Sequence, residues 1–128
     1  MANTYISSDD IKDRIVEGFD LSPYLDEANE EMIDLAESKG VYDADDIVDP
    51  IPYKVKRYLI CFIVMRLCQD CMGKNNIDLP ELEKYKIKYD MYEKERGKIL
   101  EQITYEMLTG EITEMRERTI NSAIIFRG

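Results

Sequence analysis

Between Pro52 and Gly73 the chain runs YKVKRYLICFIVMRLCQDCM, with no glycine or proline inside and no charge from Tyr58 to Met65. Seven or eight apolar residues suit a buried parallel strand, but twenty residues without a breaker predict a helix. A helix that is apolar nearly all round has no face to offer water, so it must be enclosed on most sides. This segment therefore predicts a hub, with every other element arranged around it. Its uncharged run is far shorter than the roughly 20 residues needed to cross a bilayer.

The flanking segments have the amphipathic pattern that such a hub requires. Ser7 or Ser8 caps a short first helix, with Asp9 and Asp10 at its positive end, Ile11 and Ile15 on one face and an end near Gly18. Ser22 caps a second helix with Pro23 in its first turn. Leu25, Ala28, Met32, Leu35 and Ala36 form its apolar stripe, and Gly40 closes it. Its other side carries Asp26, Glu27, Glu30, Glu31, Asp34 and Glu37. The stretch VYDADDIVDPIP, with four aspartates and two prolines, predicts a loop, after which Pro52 opens the apolar helix.

After the turn GKNNIDLP, Asp78 and Glu81 form a capping box for a fourth helix. Leu82, Tyr85, Tyr89, Tyr92, Ile99, Ile103 and Met107 recur at steps of three and four, with a gap at Arg96-Gly97. A mid-helix glycine costs about 1 kcal/mol, so the gap predicts a weak point or kink. Run through to Thr109, this helix would be about 45 Å long and would project from a domain of this size. The expected architecture is all-α: a small bundle of about four helices, one of them long, over residues 1–110, with an extended C-terminal tail over 111–128.

Composition narrows the chemistry. The net charge is −10, from 27 acidic and 17 basic residues, which repels phosphates and opposes ordinary nucleic-acid binding. The clusters Lys54, Lys56, Arg57 and Lys84, Lys86, Lys88 read as solvated helix faces. There is no histidine, which removes Ser-His-Asp and Cys-His catalysis and most catalytic zinc sites. MANTYISSDD lacks the basic and apolar regions of a signal peptide, so synthesis in a cytoplasm is expected.

The constellations that invite a chemical reading have simpler alternatives. Cys68-Gln69-Asp70-Cys71 lies late in the apolar helix with only Cys61 nearby, so buried thiols are expected rather than a redox or zinc motif. Glu27 with Glu30, and Glu31 with Asp34, have the spacing of magnesium-binding pairs in all-α nucleotide pyrophosphohydrolases. Such a site needs a matching acidic pair on a facing helix; the fourth helix has none in its middle, and Glu111, Glu114 and Glu117 fall beyond Gly110. Counted from Asp43, the acidic loop lacks the glycine and glutamate of a calcium loop. Tyr85, Tyr89 and Tyr92 read as core or interface residues rather than a base-stacking platform. No catalytic residue, cofactor or metal site is expected.

The end of the chain, TINSAIIFRG, is apolar and β-prone, and no second strand is expected for it to pair with. Its partner is therefore expected outside the subunit.

Taken in order, these elements resemble the head–tail connector (adaptor) proteins of tailed bacteriophages. The resemblance covers residues 5 to 112. It rests on YISSDDIKDRI, the acidic second helix, DPIPYKVKRYLICFIVMRL, and the long tyrosine-rich YKIKYDMYEKERGKILEQITYEMLTGE. The chain departs from related connectors in lacking their frequent alanine-rich second helix. The resemblance implies a structural protein of the virion neck, assembled in the host cytoplasm as a ring of roughly a dozen copies beneath the portal. That ring would extend the DNA conduit toward a tail or head-closure protein below, with genomic DNA passing through unbound. It also implies a C-terminal segment that grips the portal or a neighbouring copy; Ile120, Ile124, Ile125, Phe126 and Arg127 are its contact residues, by strand addition to a partner's sheet. Glu27, Glu30, Glu31 and Asp34 are the candidate face of the DNA bore. Alternatives are the metal-dependent hydrolase, a head-closure or tail-completion protein (a group that leans toward β-structure), and a cytoplasmic helical binding protein.

Overall fold

The computed structural model describes residues 5–110, and these form an all-α bundle. Four α-helices follow in order: α1, Ser22–Ser38; α2, Tyr53–Met72; α3, Leu79–Gln102; and α4, Tyr105–Thr109. Three short 3-10 turns, Ser8–Asp10, Arg14–Val16 and Ala44–Asp46, complete the described structure. Helix α2 is the hub, with both α1 and α3 packed on it. Its buried residues, including Val55, Leu59, Cys61, Ile63, Val64 and Cys68, occur on every turn. Among the described residues no strand is present, and no helix is long and apolar enough to cross a membrane.

The first segment is two 3-10 turns rather than one helix. Asp10 accepts the Ser7 amide at 2.9 Å, and Asp13 accepts the Ile15 amide at 3.0 Å, so each turn has its own cap and the chain restarts between them. Ile11 and Ile15 are nevertheless buried, as their spacing predicts. Helix α1 begins at Ser22 itself, and the capping carboxylate comes from Asp20, which accepts the Ser22 amide at 3.1 Å. Gly40, at φ +95°, turns the chain out of α1. Asp78 caps α3 by accepting the Glu81 amide at 3.0 Å.

Helix α3 runs through Arg96-Gly97 without a break in its helical assignment. Tertiary contacts outweigh the glycine's modest propensity cost, because Arg96 lies over the Tyr58 ring at 4.9 Å and Ile99 is buried one turn on. The interruption comes later. Ile103 is extended and buried, and the Thr104 hydroxyl accepts the Met107 amide at 3.3 Å to start α4. Helix α3 is therefore 24 residues, about 36 Å, instead of the 45 Å expected of an unbroken run.

Helix α4 closes the bundle. Leu108 is fully buried, and its carbonyl accepts the Val48 amide at 2.7 Å, tying α4 to the acidic loop. Gly110 ends the described chain at φ +87°, where a Cβ would meet Val48 Cγ2 at 2.9 Å. Both the left-handed conformation and the contact exclude a side chain there. Gly110→Ala is expected to cost about 1–2 kcal/mol of unfolding free energy, read as a lowered urea midpoint, while the exposed Gly97→Ala is neutral or stabilising.

Candidate functional site

Polar side chains form a girdle of cross-links around α2. Glu27 of α1 accepts Arg66 of α2 at 2.9 Å. Glu31 of α1 accepts the Tyr58 hydroxyl at 3.1 Å and Arg96 of α3 at 3.3 Å, and Arg96 also donates to the Tyr58 oxygen at 2.9 Å. Arg57 of α2 chelates Glu95 of α3, Nε to Oε2 and Nη2 to Oε1, the latter at 2.9 Å. Asp13 accepts the Tyr92 hydroxyl at 2.6 Å and Lys88 at 2.9 Å, pinning the N-terminal turns to α3. Tyr24 donates to Asp70 at 2.6 Å, a further α1–α2 link.

The electrostatics follow from this geometry. Burial alone pushes Asp13 up, but the Tyr92 hydroxyl, the Ile15 amide and Lys88 together outweigh it and hold the carboxyl below its ordinary value of 3.8. The Arg57 guanidinium holds Glu95 down against the effect of burial, with help from the Cys61 thiol. Desolvation raises Tyr58 to about 12, and Glu31 adds to the rise while Arg96 opposes it. All three cysteines are free and buried, as the apolar reading expects; desolvation raises Cys61 to about 12 and Cys68 to about 11.

This arrangement revises several sequence expectations. The basic clusters are not uniformly solvated: Lys56 pairs with Asp10 at 3.3 Å, Arg57 with Glu95 and Lys88 with Asp13, while Lys54, Lys84 and Lys86 are exposed. The acidic face of α1 is divided too. Glu27 and Glu31 turn inward to arginines, and Glu30 and Asp34 face solvent. Opposite the paired carboxylates stand Arg66 and Arg96, cations where a shared metal would need further acids. Among the described residues no group of three or more metal-ligating side chains converges. Tyr85 and Tyr92 are buried and Tyr89 packs partly buried beside them, as expected of core tyrosines. Ile120, Ile124, Ile125, Phe126 and Arg127 lie outside the described residues.

Two exposed surfaces are set apart by their charge. One is the outer stripe of α1, where Asp26, Glu30, Asp34 and Glu37 are exposed. The other runs along α3 to the start of α2. Here two open depressions, of about 550 and 280 Å³, share Glu95 and Lys98 and so form one trough. Ile87, 67% exposed, and Met91, 46% exposed, line it with Lys94 and Lys98, and Tyr53 and Lys54 extend it. Ile87 and Met91 lie on the side of α3 opposite Tyr85 and Tyr92, and the pattern of buried tyrosines drew attention away from them. Compared with protein-family models, curated proteins and solved structures, the chain matches none.

Two measurements check the girdle and the thiols. Because the Asp13 carboxyl is depressed when folded, its stabilisation is complete above pH 3.8 and lost as pH falls through the lower folded value. Asp13→Asn is therefore expected to flatten the acid limb of a pH–stability curve below about pH 4. A thiol reagent at neutral pH is expected to leave all three cysteines unmodified in the native protein and to react with all three in denaturant.

Proposed function

We propose that the protein is a structural head–tail connector of a tailed phage, a ring-forming adaptor beneath the portal with no enzymatic activity. The observation that carries the reading is the order of its helices: an acidic α1, a buried hub, then a long tyrosine-rich helix leading to Gly110. That is the order on which the resemblance to connectors rests. The girdle supports it, since its carboxylates, arginines and tyrosines are engaged in holding elements together, Arg57 and Glu95 doing so at the wall of the trough. A bundle whose helices are cross-linked in this way is suited to bearing contacts on its outside, although the buried Nε of Arg96 has no partner among the described residues.

In this reading residues 111–128 dock on the portal or on a neighbouring copy, with Ile120, Ile124, Ile125, Phe126 and Arg127 as the contact residues. Burying each apolar side chain contributes at most a few kcal/mol before ordering costs, and repetition around a ring of about twelve supplies avidity. If α1 lines the bore, its solvent-facing acids Glu30 and Asp34 would keep DNA from adhering, whereas Glu27 and Glu31 are paired with arginines. A tail or head-closure protein would sit below, and the assembled particle would carry the protein in its neck.

Truncation after Arg118 tests the reading. The shortened chain is expected to keep its helical circular dichroism and its cooperative melt, yet to be missing from portal-bound particles by electron microscopy. Normal incorporation of the truncated chain would remove the docking role. Magnesium-dependent release of pyrophosphate from nucleoside triphosphates, abolished by Glu30→Gln, would instead favour the hydrolase alternative.

A further inference from the structure

We propose that the trough on α3 receives the acidic stripe of α1 from a second copy of this chain, so that the copies associate head to tail. In a protein of net charge −10, two copies repel unless a local basic surface meets an acidic one. The trough provides such a surface: Lys54, Lys94 and Lys98 are exposed and make no ion pair among the described residues. The α1 stripe is its counterpart, since Asp26, Glu30, Asp34 and Glu37 are exposed and also without ion pairs among the described residues.

Lys94 and Lys98 are one turn apart, about 6 Å along α3, and so are Glu30 and Asp34 on α1; Lys54 lies in the depression that also contains Lys98. On the N-terminal side of Lys94, Ile87 and Met91 offer exposed apolar surface for the stems of the incoming carboxylates and the edge of α1 near Ile33. The two surfaces share no residue, so each copy keeps one of each free after a single contact. A contact of this kind is heterologous and propagates, closing into a ring or extending as a filament. Nucleic acid is the less favoured occupant, because the protein as a whole repels a polyanion along its length, whereas a second copy brings carboxylates only locally; Glu95 is paired with Arg57, and Asp90 opposes either occupant. This inference deepens the ring of the connector reading and rests on it, naming the two faces that meet; in it Glu30 and Asp34 face the neighbouring copy rather than the bore, and no portal is needed.

The test uses the full chain, half of it labelled with nitrogen-15, at its highest soluble concentration. A carbodiimide joins a lysine amine to a carboxylate with loss of water, leaving an amide that mass spectrometry locates. Mixed-isotope cross-links from Lys94 or Lys98 to Glu30 or Asp34 are expected, falling about tenfold as salt approaches 1 M, where the Debye length is about 3 Å. The paired variants Lys94→Glu/Lys98→Glu and Glu30→Lys/Asp34→Lys change only exposed, unpaired side chains and are expected to keep wild-type helicity. Each alone is expected to be monomeric by sedimentation velocity, and an equimolar mixture to associate again. Failure of the mixture to associate would overturn the proposal. So would cross-links joining trough to trough through Ile87 and Met91, or a labelled single-stranded oligonucleotide binding the trough in place of a second copy. Failure here leaves the truncation experiment on particles untouched, and failure there leaves this one untouched.

Discussion

A helix with no polar face is held in water only by being surrounded, and α2 sets that condition for the whole molecule. Its side chains at Val55, Leu59, Cys61, Ile63, Val64 and Cys68 are fully buried. Fully burying a Val, Leu or Ile side chain is worth about 1.5–3 kcal/mol. The neighbours that cover it must then supply the polar exterior, which explains why α1 and α3 are so strongly charged on the sides away from it. The polar groups of α2 itself, Tyr58, Arg57 and Arg66, sit at the margins of its apolar surface. From there they reach over the seam to Glu31, Glu95 and Glu27. Burial supplies the cohesion, and the girdle selects one packing among the many that burial alone would accept.

Much of this was legible in the chain. The all-round apolarity of Tyr58 to Met65 identified the hub, Pro52 and Asp78 marked helix starts, and Gly40 marked a stop, because each signal is local and physically stiff. What was not legible depends on residues far apart in sequence. Asp13 meets Lys88 and Tyr92 some 75 and 79 positions away, and no spacing rule announces that encounter. The same reason hid the division of the α1 carboxylates: Glu27 and Glu30 look equivalent until Arg66 claims one of them. At Gly97 propensity argued for a weak point, yet the helix continues past it. At Thr104 a capping residue was in view, but the apolar steps at Ile103 and Met107 masked it.

The surfaces follow the same division of labour. Side chains engaged in the girdle are unavailable to partners, which leaves unpaired acids on α1 and unpaired lysines beside Ile87 and Met91 on α3. A protein with so large an excess of negative charge keeps copies apart by default, so a contact between them must be directional and sensitive to salt. The docking role proposed for residues 111–128 and the contact proposed between α3 and α1 rest on different parts of the chain and respond to different perturbations.

Gly110 has a mechanical consequence. Whatever pulls on the chain beyond it acts first on the end of α4, which is tied to the acidic loop by the main-chain bond between Val48 and Leu108. Leu108 is embedded in the interior, so this five-residue helix can be drawn away only by breaking that bond and withdrawing a core side chain together.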